Sequence, residues 1–296
     1  MLSIERLIEA RWRSPKTEAL EQIRKADWTS HNIPLTAQSA TLPGPDRPLI
    51  GDEPRTRAIR QCMDLLLGPG PEDGEGYRGR LVDLGCLEGG LSFEMARAGF
   101  DVLGVEGRES NYQRCQLIEH YYALPNLRFE HLDVKNLSPE RHGRFDAVVC
   151  CGLFYHLDDP VDFLHLLAAL THDRSALFLD THIAPPDDTL DECVFRESLS
   201  DYETVQHHGE SYSGRWYDEY PEGGHSDDAW ASVSNYRSFW LTKDALITAL
   251  EDAGFGLAYE LYGTRPAREE ADLKRKFSRI YLMAVKRPYF SNPKTT

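Results

Sequence analysis

The chain has 296 residues, 41% hydrophobic and 27% charged, enough apolar content for a packed core and too much for general disorder. Its 48 acidic residues outweigh 33 basic ones, and the formal charge of -15 opposes docking on a phosphate backbone, so nucleic acid is a disfavoured partner. No stretch approaches the ~20 apolar residues of a membrane span, and the charged start MLSIERLIEARWR lacks a signal-peptide run, so we expect a cytoplasmic protein without a membrane partner.

Taken in chain order, the amphipathic start (Leu2, Ile4, Leu7, Ile8) and the turn-prone stretch from Pro34 to Pro54 predict an N-terminal helical arm and loop. A helix over about Arg55 to Leu67 follows in this region, residues 1–75, and the connection GPGPEDGEGYRG leads from it into the next. From Arg80 to Ile183 short apolar runs (RLVDLG, DVLGVEG, LRFEHLDV, FDAVVCCG, ALFLDTHI) alternate with longer helical ones, the signature of βαβ units and a parallel sheet, here residues 76–183. Residues 184–241 read as a polar insert without clear periodicity; it holds His207, His208, Trp216, Trp230 and Trp240, and we expect a lid after the fifth strand. In residues 242–296, Thr242 is positioned to cap a helix and Gly254 to end it, and GLAYELYG and FSRIYLMAVKR read as a closing strand pair.

Cys62, Cys86, Cys115, Cys150, Cys151 and Cys193 form no C-x-x-C pair and read as reduced thiols. Cys150 and Cys151 are adjacent in an expected strand, which sends their side chains to opposite faces and disfavours a disulfide.

Ligands on parallel sheets bind at the C-terminal strand ends, which directs attention to VDLGCLEGG, Val82 to Gly90, between a strand and a helix. Glycine there permits a tight turn and lets a ligand approach the backbone at the helix N-terminus. Glu106 follows at the end of the next strand, where a carboxylate can accept from both hydroxyls of a ribose. A dinucleotide oxidoreductase would share these features, but its G-x-G-x-x-G fingerprint is replaced here by G-x-x-x-G-G from Gly85, with Leu87 where a pyrophosphate would be crowded.

Together, D-x-G-C-x-x-G-G at Asp83 to Gly90, Glu106, LDV at Leu132 to Val134 and FDAVVCCGLFYHLDDP at Phe145 to Pro160 resemble the class I S-adenosylmethionine-dependent methyltransferases. The resemblance implies a Rossmann-like α/β fold with a mostly parallel seven-strand sheet, its last strand antiparallel, and S-adenosyl-L-methionine as cofactor. By the same resemblance, Gly85 with the neighbouring Cys86 and Gly89 would face the methionine portion, and Asp83 would order the loop or meet the amino group. Glu106, beside Gly107, would hold the ribose; Asp133 would accept from the adenine amine, the Val134 amide would donate to the ring, and Cys151 and Gly152 would pass close to the cofactor.

DWTSHNIPLTAQSATLPG and LFYHLDDP resemble a branch that includes tRNA wobble-uridine carboxymethyltransferases and natural-product and sugar methyltransferases. In that branch the early segment folds over the cofactor pocket, which draws in Trp28, His31 and Asn32, with Trp28 and His31 as candidates to bind the substrate; the acidic charge argues against the tRNA member.

Methyl transfer is an in-line displacement, and a general base is needed only when the acceptor must lose a proton. His156, just beyond the fourth strand, is a base or a hydrogen-bonded structural histidine; His182, at the end of the fifth, is a second candidate. Asp180 beside His182 lacks the companion ligands of a metal site, and we expect no metal. Tyr155 is a candidate to bind the acceptor, and Tyr212, Trp216 and Tyr217, with Tyr220 and Trp230, either bind it as well or fill the insert's own core. The expected activity is methyl transfer to a small-molecule acceptor, a sugar or secondary-metabolite hydroxyl, with N-methylation, tRNA modification and non-catalytic cofactor binding as alternatives and a homodimer left open.

Overall fold

In the computed structural model, which describes residues 17–42, 44, 47–68, 76–220, 232–261, 271 and 274–286, the apolar runs after Arg80 become strands separated by helices. The amphipathic start at Leu2 to Ile8 and Trp230 lie outside the described residues. The chain divides into two compact units after Asn136.

In the first unit, helix α1 (Thr17–Lys25) and the short strands β1 (Pro34–Thr36) and β2 (Ser39–Ala40) precede α2 (Pro54–Leu67). Then come β3 (Arg80–Leu84), α3 (Gly90–Arg97), β4 (Asp101–Glu106), α4 (Glu109–Tyr122) and β5 (Leu127–His131). The three long strands pair in parallel, Leu84 with Val105 and Glu106 with His131, and Leu81, Val82, Leu84, Val102 and Val105 are fully buried. That ladder brings the ends of β3 and β4 to one edge. Helix α1 packs on α4, and the Tyr121 and Tyr122 hydroxyls of α4 donate to the carbonyls of Leu35 and Pro34, so the N-terminal segment is anchored to this unit.

The second unit contains α5 (Pro139–His142), β6 (Phe145–Cys151), α6 (Pro160–Ala169), β7 (Thr171–His182), β8 (Glu203–His207), β9 (Glu210–Asp218), β10 (Arg237–Leu241), α7 (Lys243–Asp252), β11 (Phe255–Glu260) and β12 (Arg279–Lys286). Proline at the start of α6 and the Asp159 carboxylate, which accepts the Asp162 amide at 3.0 Å, set that helix's beginning. Thr242 Oγ1 caps α7 by accepting the Ala245 amide at 3.1 Å, and Gly254, at φ +97°, follows its end.

The insert, whose sequence shows no clear periodicity, carries regular structure: β8, β9 and β10 form a three-stranded antiparallel sheet in the order β10-β9-β8. His208 and Gly209, both at positive φ, make the two-residue turn between β8 and β9, the backbone hand that matches strand twist. The seven-stranded sheet has the order β11-β12-β7-β6-β3-β4-β5, with β12 antiparallel to both β7 and β11 and the pairs β3–β4, β4–β5 and β6–β7 parallel. No described helix is long and apolar enough to cross a membrane.

Candidate active site

The first unit builds a cradle at the ends of β3 and β4. After Leu84 the chain turns through Gly85 (φ +62°), Leu87 (φ +54°) and Gly89 (φ +76°), and the Gly89 amide closes the turn on the Cys86 carbonyl at 2.8 Å. Glu106 holds this loop: one carboxylate oxygen accepts the Leu87 amide at 2.9 Å and the other accepts the Arg108 amide at 2.8 Å. Burial raises the Glu106 pKa, opposed by those two amides. Leu87 therefore does more than crowd a phosphate, because its left-handed backbone aims an amide at the carboxylate.

Asp83 is buried at the end of β3 and accepts the Ser92 hydroxyl at 2.6 Å. Burial pushes its pKa up to about 7 against the opposing Ser92 bond and the Arg55 charge. The Cys86 and Cys115 thiols lie 3.8 Å apart, both free, with burial raising both pKa values. Asp133 accepts the Lys135 amide at 3.0 Å, Val134 is buried in the short 3-10 turn Val134–Asn136, and the Gly107 carbonyl meets His131 Nε2 at 3.0 Å.

Glu88 went unnoticed in the sequence because it occupies a variable position of the glycine motif. It is fully buried, and its carboxylate accepts the amides of Thr29, Ser30 and His31 and the Thr29 hydroxyl. His31 Nδ1 in turn accepts the Gly90 amide, and burial with the Arg55 charge lowers its pKa to about 3. Trp28 is buried with its indole N–H donated to the Ile23 carbonyl. His31 is thus engaged in folding the arm onto the glycine loop, whereas the Trp28 bond lies within the arm. The Asn32 amide nitrogen donates to the Arg47 carbonyl and its oxygen accepts the Leu42 amide.

The second unit gathers a different cluster beyond β6 and β7. Cys151 ends β6; Gly152, at φ +87°, donates its amide to the Asp180 carbonyl and leads to the 3-10 turn Phe154–His156. His156 Nδ1 lies 2.9 and 3.0 Å from the two oxygens of Glu219, which follows β9. The Tyr155 ring sits 4.2 Å from that of His156 and 4.3 Å from that of His182. His182 stacks on Trp240, Trp240 stacks on Tyr217, and Phe195 meets all three edge-on.

His182 Nδ1 donates to the Phe277 carbonyl at 2.7 Å, and burial followed by the Arg279 charge lowers its pKa to about 3. Asp180 is paired with Arg279 Nε at 2.6 Å, and the Arg279 guanidinium lies 5.6 Å from the Tyr155 ring centre.

Of the predicted residues, the structure thus brings Tyr155, His156, His182 and Tyr217 together. It does not bring Tyr212 or Trp216 to them: Tyr212 is buried with its hydroxyl on Asp252, and Trp216 packs on Phe239 with Arg237 over its ring. These two occupy the alternate face of β9 from Tyr217. Tyr220, which donates to the Ser232 carbonyl, has its ring 6.2 Å from Tyr236. Sequence reasoning missed Glu219, Trp240, Phe195 and Arg279, each distant in the chain from the group it meets.

Residues 54–260 match the family model of a methyltransferase domain. A stretch of 126 residues is 29% identical to the ubiquinone biosynthesis O-methyltransferase of Acinetobacter baylyi, covering 42% of this chain and 53% of that protein. Another of 117 residues is 30% identical to the tRNA U34 carboxymethyltransferase of Campylobacter hominis, covering 39% of this chain and 40% of that one. The chain thus spans about half or less of the length of these curated relatives. In fold it is similar to the N-terminal domain of EvdMO1, crystallised in the presence of S-adenosylhomocysteine and D-fucose, with a TM-score of 0.65 and 23% identity over 93% of this chain and 98% of that one. Because the matched residues span well over half of its length, the chain belongs to the methyltransferase domain family.

Proposed function

We propose that the protein binds S-adenosyl-L-methionine in the cradle of the first unit and methylates a hydroxyl of a small molecule, a sugar or secondary metabolite. The observation that carries this reading is Glu106: a buried carboxylate at the end of β4, tied through the Leu87 amide to a loop with three residues at positive φ. Such a donor and acceptor set fits a ribose beside a backbone-lined pocket. When bound, S-adenosylmethionine supplies an electrophilic methyl group on sulfur.

The chain's own residues orient and desolvate. Glu106 accepts from the ribose hydroxyls, Gly85, Cys86 and Gly89 lend backbone to the methionine portion, and Asp133 and Val134 select adenine. Gly107 flanks the ribose. Acceptor recognition falls to Tyr155 and Tyr217, with the β8–β10 sheet serving as the lid. His156 takes the acceptor proton; His182, kept weakly basic by burial, supports the Tyr155 ring. A tRNA acceptor is less well supported, since the charge of -15 works against it.

Calorimetric titration with S-adenosylmethionine, with NAD in parallel and Glu106→Ala as control, tests the cofactor assignment. Binding on the order of micromolar that is lost in a variant still folded by circular dichroism is expected; binding of NAD alone overturns the reading.

A further inference from the structure

We propose that Glu219 is a positioning residue that fixes His156 with its proton on Nδ1, leaving Nε2 to accept the proton of an acceptor hydroxyl. This rests on the methyltransferase reading above and deepens it by naming the residue that prepares the base.

The Glu219 side chain is only 1% exposed, and among the described residues its ionisable partner is His156. A buried carboxylate is costly unless donors surround it. Glu219 accepts the Ser232 amide at 3.1 Å and the Ser238 hydroxyl, and His156 Nδ1 faces both of its oxygens. An unprotonated Nδ1 would set its lone pair against two carboxylate oxygens, so the proton belongs on Nδ1 and the lone pair on Nε2.

The backbone of His156 is fixed as well, and its ring is covered on one side. The His156 amide donates to the Leu153 carbonyl, its own carbonyl accepts the Ser232 hydroxyl, and Tyr155 covers the ring. Yet 13% of the His156 side chain stays exposed, which gives a small molecule an edge to reach. Across the Tyr155 ring, His182 makes the instructive contrast: its Nδ1 meets a neutral carbonyl, and the nearby Asp180 carboxylate is already paired with Arg279.

In the step itself the acceptor O–H bond breaks and its proton joins Nε2. The freed electron pair on oxygen forms the O–C bond as the C–S bond breaks, with that pair leaving on sulfur. Imidazolium, stabilised by Glu219, then returns the proton to water. An amine that is already neutral needs no such base, so the arrangement serves a hydroxyl acceptor.

The test compares wild type, His156→Gln and Glu219→Gln. Long-range proton–nitrogen NMR of the full chain reads the His156 tautomer without any acceptor. We expect Nδ1–H in wild type and Nε2–H in Glu219→Gln, where Ser232 and Ser238 claim the amide oxygen and its NH2 group faces Nδ1. Transfer of labelled methyl to catechol, free hexose and a primary amine is followed in parallel with calorimetric S-adenosylmethionine affinity. We expect transfer to a hydroxyl probe to fall at least about 100-fold in both variants with cofactor affinity unchanged. A proton on Nε2 in wild type, or hydroxyl transfer unaltered by Glu219→Gln, overturns the proposal. Failure of wild type to bind the cofactor is a separate result and counts against the underlying methyltransferase reading alone.

Discussion

His31 and Glu88 are joined twice over through the glycine loop: the His31 amide donates to Glu88 Oε2 at 2.8 Å, while the His31 ring accepts the amide of Gly90, two residues beyond Glu88. The N-terminal segment thereby closes on the loop that we assign to the cofactor. Replacing Glu88 by Ala orphans three backbone amides and a hydroxyl. At about 1–3 kcal/mol for an unsatisfied buried group, and with incomplete additivity, we expect a loss of roughly 2–5 kcal/mol. Urea unfolding measures it, and limited proteolysis should cut near residues 28–33 sooner in the variant; an unchanged midpoint and cleavage rate would remove the latch from the account.

Gly89 and Gly104 crowd the same ring. A Cβ on Gly89 would stand 2.6 Å from the Phe129 ring, and one on Gly104 would overlap that ring and approach Ser92 Oγ to 2.9 Å. Gly104→Ala should cost about 1–3 kcal/mol by overpacking, and Gly89→Ala more, because its φ of +76° adds backbone strain. Combining Gly104→Ala with Phe129→Leu should recover part of the loss. Additive costs in that double variant, read from denaturant midpoints, would mean the ring is not the obstacle.

How much of this was legible depended on whether a signal is local. RLVDL and DVLGVE announced β3 and β4, since strands buried on both faces read as continuous apolar runs, and Thr242 and Gly254 marked the ends of α7 by residue type alone. The β8–β9 hairpin stayed hidden because the exposed positions of its strands are Glu203, Thr204, Gln206, Glu210, Ser211, Ser213 and Asp218, leaving no apolar alternation; the His208–Gly209 turn was the available clue. Glu219 lies 63 residues from His156 and Arg279 lies 99 from Asp180, separations over which no periodicity speaks. Glu88 could have been suspected, as a charge inside a loop that must be buried has to find donors.

Acid should weaken the fold through its histidines. His31 and His182, held near 3 by burial, bind protons in the unfolded chain below about 6.5 but not in the folded one, so their stabilisation is complete above that pH and lost as pH falls towards 3. Asp83, raised to about 7, has the opposite sign: its contribution is present below the unfolded value of 3.8 and lost as pH rises through 7. Between pH 7 and 5 each histidine costs roughly 2 kcal/mol and Asp83 returns about as much as one of them. Urea midpoints at the two pH values should therefore converge in His31→Gln and diverge further in Asp83→Asn. The reverse pattern would mean these groups titrate alike in both states.

The same raised carboxyl ties cofactor binding to protons. Asp83 is partly protonated near neutrality because burial disfavours its charge, and a cationic ligand nearby favours the ionised form instead. S-adenosylmethionine carries an ammonium and a sulfonium, so its binding should expel a proton below about pH 7, and its affinity should rise by up to about tenfold per pH unit on approaching that value. Titrations in two buffers of different ionisation enthalpy count the protons directly. Asp83→Asn should abolish most of the buffer dependence, leaving the share of Glu106, whose pKa is raised less by the same burial and checked by its two amides. S-adenosylhomocysteine, which keeps the ammonium but not the sulfonium, then divides the effect between the two charges. Identical heats in both buffers would show that Asp83 keeps its proton through binding, and that its part is to order the loop through Ser92 rather than to meet the cofactor's charge.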